Sequence, residues 1–405
     1  MKTILVITYW SYNDALIQTY TLPYLRIIKR NLHATSKLYL LTLEPAMRKE
    51  SQIQLDYSRN QLATEGIILI TKRYYRFGLK ALLHWIPYLL SLWKLCWSKK
   101  ITHIHTWCTP AGGIGYFLSI LTGKPLILDS YEAHAEAMTE SKNWKENGIA
   151  FKTLFWLEKK QSQRASKIIT TSLSMGEYAA EKYGLSLPTL HMKPACIDLS
   201  AFSMENRKKP DLLKKLNLNN KIVCVYAGKF GGFYLENEVF DFFIACRDQW
   251  PNRFSVLLLT SHSQEDIEKY CNEAGFPCEL IIRKFVPHSQ IPDYIGLGDF
   301  AIAPVKPIPT KRHGSLIKTG EYWALGLPVV ITAGISGDSE KIEKNNIGTV
   351  IKSLDTKGYQ NATSEIANLL GLYTSEQLYD KIRPFAEKYR NFEIAEKVYH
   401  KIYSH

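Results

Sequence analysis

Residues Gly314 to Val330 read GSLIKTGEYWALGLPVV: a short helical stretch, a hard stop, then an apolar strand. Ser315 carries the side chain of a good N-cap, which would make Leu316 the first helical residue and put Lys318 in the opening turn. Gly326 suits the position just past a helix end, and Pro328 forbids continuation. Lys318 and Glu321 stand three residues apart and therefore share a face. A helix N-terminus with a lysine beside it attracts an anion. A carboxylate one turn further on can grip hydroxyls. Phosphate followed by a polyol describes a nucleotide sugar.

The same alternation runs from end to end. Strand-like runs in the first half are KTILVITYW, KLYLLTL, GIILITK, THIHTW, PLILDS, KIITTS and TLHMKPA. After residue 220 come KIVCVYAG, FSVLLLTS, CELIIRKF, FAIAPV, LPVVIT and GTVIK. Strands apolar on both faces and separated by helical stretches predict parallel sheets covered on both sides. The polar, basic stretch NRKKPDLLKKLNLNNK divides the runs into two sets. The expected architecture is α/β: two doubly wound, Rossmann-like domains facing across a cleft. The boundaries read as 1–200, a linker at 201–220 and a second domain at 221–385. A last helix, about 386–405, is expected to pack back on the first domain. Ligands of such sheets bind beyond the carboxyl ends of the strands.

The 405 residues have room for two ordinary domains, and 46% hydrophobic with 22% charged residues is a globular balance. A formal net charge of +13 calls for an anionic partner: phosphorylated substrates, lipid headgroups or nucleic acid. Seven scattered cysteines without a CxxC pair read as buried free thiols in a reducing cytosol. The first strand is expected to begin almost at once, so no signal peptide is expected.

KIVCVYAGKFGG is a strand ending in Gly228, then Lys229 and two further glycines. Glycine there lets backbone approach a phosphate, and Lys229 adds charge. DSYEAHAE packs Asp129, Glu132, His134 and Glu136 at a strand's carboxyl end. Together with SLIKTGEY, GISGDSEKIEKNNIGTVI and EKKQSQRASKIITTS, and in this order, these segments resemble the retaining, GT-B fold glycosyltransferases of family 4.

The resemblance implies that Gly228 and Lys229 approach the donor diphosphate and that Lys318, with Ser315 at the helix start, carries further charge to it. It implies that Glu321 holds the donor ribose. His313 stands where the family has a first glutamate, so recognition of the donor sugar should differ here. It places His134 near the scissile bond, with Glu132 and Glu136 beside it. In the loop WSYNDA, Asn13 or Asp14 should lie near the acceptor. Retention implies that the leaving phosphate oxygen takes the acceptor proton. No DxD triplet occurs, so no metal and no other cofactor is expected; Lys229, Lys318 and the helix N-terminus would neutralise the leaving UDP or GDP. His103 and His105 share one face of their strand, and no third ligand at recognisable spacing makes a zinc site.

Residues 72–100 hold seven basic and seven aromatic residues and no acid. One helical stripe is Leu79, Leu82, Leu83, Ile86, Leu90, Trp93 and Trp97; a second is Trp85, Leu89, Leu92 and Cys96. One stripe can pack on the sheet. The uncharged run is shorter than the ~20 residues of a membrane span. An interfacial helix on an anionic membrane surface fits it. The chain therefore reads as a glycosyltransferase, cytoplasmic and peripheral on the inner face of the cell membrane. It would move a sugar from a UDP-sugar or GDP-sugar to a lipid-linked or cell-surface glycan. The alternatives are a GT-B nucleotide-sugar epimerase and a nucleic-acid-binding protein. Nucleic acid is not expected as a partner, because the basic residues interleave with apolar helix positions instead of forming a stripe.

Overall fold

Each of the thirteen apolar runs forms a strand, and every strand pairing is parallel. The structure, a computed structural model, describes residues 2–45, 49–75, 79–187 and 189–404. The chain divides into two compact units: Met1–Pro194 with Glu393–His405, and Ala195–Phe392. The stretch 201–220, expected as a linker, is structured within the second unit. Arg207 is buried there, donating to the carbonyls of Gly296 (3.2 Å) and Gly298 (2.7 Å).

The first unit holds β1 (Thr3–Ile7), β2 (Lys37–Glu44), β3 (Ile67–Arg73), β4 (His103–Trp107), β5 (Leu126–Tyr131), β6 (Lys167–Thr170) and β7 (Leu190–Met192). Their order is β3-β2-β1-β4-β5-β6-β7. The second holds β8 (Ile222–Ala227), β9 (Phe254–Leu259), β10 (Ile281–Lys284), β11 (Phe300–Ala303), β12 (Val329–Thr332) and β13 (Gly348–Ile351), ordered β10-β9-β8-β11-β12-β13. Both sheets change direction of winding at one strand pair, β1/β4 and β8/β11. A crevice opens beyond the carboxyl ends of such a pair, because the connecting helices leave on opposite faces. Those ends carry Tyr9 and Trp10, Cys108, and Gly228 with Lys229.

In the first unit, β5 buries Asp129 (1% exposed) at the centre of a polar network. Lys193 Nζ lies 3.2 Å from Oδ1; His105 Nε2 (3.2 Å) and the Tyr399 hydroxyl (2.7 Å) reach Oδ2. His105 Nδ1 continues to Tyr403 Oη at 2.6 Å. Tyr399 and Tyr403 belong to the helix Phe392–Tyr403, which this network ties to the sheet. Lys193, wholly buried, lies 3.7 Å from the ring centre of Tyr24 and 5.0 Å from that of Tyr20. A buried ammonium is tolerable only with such an anion and such π faces around it. Burial alone would raise the Asp129 carboxyl, but Lys193, His105 and Tyr399 outweigh it and hold it down at about 2.

Candidate functional site

In the second unit the helix runs Ile317–Ala324, and its N-cap is Leu316, in extended conformation and without a capping side chain. The expectation that Ser315 caps it is corrected. Its hydroxyl accepts from the Ala195 amide (3.0 Å) and from Arg390 Nη1 (2.8 Å). Arg390 is buried and pairs through Nη2 with both carboxylate oxygens of Asp338 at 2.6 Å. Its side chain passes Gly320, where a Cβ would stand 3.1 Å from Arg390 Cγ. Ser315 thus anchors the strand-like lead into the helix, and the first-turn N–H groups stay uncapped by any side chain. The helix ends as read: Gly326 (φ 66°) donates to Trp323 O and Leu327 to Tyr322 O, a Schellman stop. A Cβ on Gly326 would lie 2.3 Å from Tyr379 Cα, so the position admits glycine alone.

Lys318, in the first turn, crosses the end of β8. A Cβ added to Gly228 would stand 2.6 Å from Lys318 Cε and 2.9 Å from its Nζ, so the missing side chain is what lets the ammonium lie there. Lys318 Nζ donates to Tyr234 Oη at 3.0 Å and sits 4.2 Å from that ring's centre. The ammonium pulls the Tyr234 hydroxyl below its ordinary value against the opposing effect of burial, with Lys311 adding to it. Lys229 follows Gly228, its side chain exposed, its carbonyl receiving the Tyr226 hydroxyl at 2.5 Å. Gly228, Lys229 and Lys318 are therefore brought together.

Glu321, one turn beyond Lys318, is 9% exposed. Among the described residues no hydrogen bond to its carboxylate is recorded. Burial pushes the carboxyl up to about 7, with Lys318 drawing it the other way. His313 is buried at the end of the turn Pro309–His313, and its Nε2 accepts from Arg312 Nε at 3.0 Å. Lys311, in the same turn, lies 3.7 Å from the Phe233 ring centre. Sequence reading passed over Lys311 and Tyr234; the run PTKRH was the available signal.

In the first unit the four residues of DSYEAHAE separate. Asp129 belongs to the buried network. His134 opens the helix His134–Glu140, and its Nδ1 lies 3.1 Å from Glu132 Oε1; both line a cavity of about 550 Å³. Glu136 instead points to Lys182, 3.4 Å away. Trp10 lines the cavity, whereas Asn13 and Asp14 are exposed outside its lining, and Asp14 Oδ1 accepts from the Leu16 amide at 2.8 Å. Missed by sequence reading is Glu158, wholly buried, accepting from the Ala135 amide (2.8 Å) and the Tyr183 hydroxyl (2.9 Å). It caps the helix that His134 begins, and burial pushes its carboxyl up to about 7.

The helix Leu79–Ser98 settles which stripe packs. Leu92 and Cys96 are buried, while Ile86 (69%), Leu90, Trp93 and Trp97 (63%) are exposed. The side chains of Lys80, Leu82 and Leu83, with that of Leu79, and all of Arg76 lie outside the described residues. Lys72 is used internally, donating to Ser91 Oγ at 2.7 Å. Among the described residues no helix is long and apolar enough to cross a membrane.

Two wholly parallel, doubly wound units in one chain define the GT-B architecture. Solved structures with this fold match over nearly all of their own length and of this chain. The HepE protein of Anabaena in complex with UDP aligns with TM-score 0.70 and 12% identity, covering 99% of each chain. Sucrose-phosphate synthase of Thermosynechococcus elongatus gives 0.71 and 15%, covering 100% of this chain and 98% of its own. The lipopolysaccharide outer core galactosyltransferase WaaB gives 0.63 and 10%, covering 98% of each. No family model and no curated relative matches the sequence.

Proposed function

We propose that the protein is a glycosyltransferase that moves a sugar from a UDP-sugar or GDP-sugar to a lipid-linked or cell-surface glycan, with retention of anomeric configuration. One observation carries the reading: an ammonium laid across a bare glycine at the carboxyl end of β8, with a buried carboxylate one turn beyond it that has no hydrogen-bond partner among the described residues. Gly228 gives the Lys318 ammonium its place at the strand end, and Lys318, Lys229 and the uncapped N-terminus of Ile317–Ala324 meet the charge of the diphosphate. Lys311 adds a further cation beside Tyr234. Glu321 accepts the ribose hydroxyls, which replace the water that burial removed. As the glycosidic bond breaks, the diphosphate gains charge where these groups already stand, so the stabilisation grows toward the transition state. The leaving phosphate oxygen takes the acceptor proton, and His134 and Glu132 hold the acceptor. In support, HepE, a fold neighbour, has been solved with UDP and with UDP-glucose.

The exposed Ile86, Leu90, Trp93 and Trp97, with Lys94, Lys99 and Lys100 exposed near them, support a peripheral place on the anionic inner face of the cell membrane. A panel of labelled UDP- and GDP-sugars, incubated with protein and a bacterial lipid extract in excess EDTA, tests the reading. Label should enter the lipid phase from one donor, with the anomeric configuration of the donor kept. Transfer restored only by magnesium or manganese would refute the metal-independent mechanism. Release of an isomeric nucleotide sugar without any acceptor would replace the transferase with an epimerase.

A further inference from the structure

The cavity in the first unit has a lining that glycosyl transfer alone does not account for. Tyr9 and Trp10 enter it from the end of β1, Tyr74 from the end of β3, and Trp85 from the inner side of Leu79–Ser98. Leu157 closes it from the helix Ile149–Arg164. Its strongly polar members are Glu132, His134 and Asn143. Burial pushes the Tyr9 hydroxyl up to about 12 and the Cys108 thiol well above its ordinary value, so neither adds charge.

A pyranose ring carries hydroxyls around its whole edge and needs a donor or acceptor for each one it buries. With the Tyr9 and Tyr74 hydroxyls and the indole N–H groups of Trp10, Trp85 and Trp144, three polar side chains still leave much of a space of about 550 Å³ walled by aromatic faces and by Pro110, Met138, Ala150, Leu154 and Leu157. An apolar chain gains from those faces, and a small polar head group matches Glu132 and His134. The wall residue Trp85 sits on a helix whose adjoining outer flank exposes Ile86, Leu90, Trp93 and Trp97. One helix therefore presents apolar surface both outward and into the cavity.

Resting on the transferase reading, we infer that this cavity takes the first stretch of the apolar chain of a lipid-linked acceptor. The head group to be glycosylated lies at His134 and Glu132. The acceptor is thus recognised by its lipid, and a water-soluble glycan without one is a poor substrate.

The test uses 12-bromododecanol, whose bromine quenches tryptophan on contact, below its solubility limit. Trp10, Trp85 and Trp144 line the cavity. Quenching should saturate, and Ala150→Phe, which fills the space from its half-buried wall, should weaken it at least ~10-fold with melting unchanged. Should that variant not fold, Asn143→Phe at the exposed rim makes the same test. Quenching that rises linearly and equally in both proteins is surface partitioning and overturns the inference. So does methyl glucoside raising the melting temperature of the wild type alone while the bromoalcohol leaves it unquenched. Thermal shifts with nucleotide sugars are read in parallel. If they occur and the bromoalcohol fails, the lipid cavity is wrong and the transferase stands. If the bromoalcohol binds and no nucleotide sugar does, the cavity stands and the transferase reading falls.

Discussion

Asp129 and Glu321 are both carboxylates shut away from water, one in each unit, and they are treated in opposite ways. Asp129 has an ammonium, an imidazole and a phenol on its two oxygens, and these hold it down at about 2. Glu321 has one cation a turn away and, among the described residues, no hydrogen-bond donor, and it is pushed up to about 7. A buried carboxylate whose partners are all supplied by the chain ties elements together; here it fastens Phe392–Tyr403 to the first sheet. A buried carboxylate without partners is held at the expense of stability, and that expense has a use when a ligand brings the missing donors. Under the proposed function, the contrast separates a carboxylate that holds the fold together from one that waits for a ligand.

The largest effect should come from the partnered residue. Lys193→Met removes the only one of these partners with a fixed positive charge from the buried Asp129, and should destabilise the protein by about 3–5 kcal/mol in urea unfolding. The folded-state value of Asp129 lies below its ordinary 3.8, so its contribution is present above pH 3.8 and is lost as pH falls through about 2. A change within experimental error would break the comparison, since the network would then be incidental.

Glu321 should behave in the reverse sense. Its folded-state value lies above the ordinary 4.5, so the stability linked to its proton is full below pH 4.5 and is lost as pH rises through about 7. Glu321→Gln should therefore make the ligand-free protein more stable at pH 8, by about 1–3 kcal/mol, and change little at pH 5. A variant less stable at pH 8 than the wild type would mean that Glu321 has structural partners after all.

What could be read from sequence follows from how far each decision reaches. Strands β1 to β13 were legible because an apolar run bounded by turns is a local signal, and parallel pairing follows from the helices between them. Lys318, Glu321 and Gly326 were legible because helical spacing and a glycine stop act within a few residues. Ser315 was misread because its hydroxyl is claimed by Ala195 and Arg390, which are 120 and 75 positions away. Asp129, Glu132, His134 and Glu136 looked like one cluster. Strand alternation turned Asp129 inward to Lys193, and the following helix sent Glu136 to Lys182. For Leu79–Ser98 both stripes were visible, but which one meets the sheet is decided by the neighbouring helix and strands. Lys311 and Tyr234 come near Lys318 only through tertiary approach, which no local pattern encodes.

The most direct test is calorimetric titration, at pH 6, 7 and 8, of wild type and Glu321→Gln with whichever nucleotide sugar gives the largest thermal shift. Only the ionised carboxylate accepts from both ribose hydroxyls. The wild-type affinity should accordingly rise by about tenfold from pH 6 to pH 8, as a group titrating near 7 requires. The variant should bind roughly 10–100-fold more weakly at pH 8, with a flat pH profile. Equal affinities, or a variant that keeps the wild-type pH profile, would contradict the assignment of Glu321 to the donor.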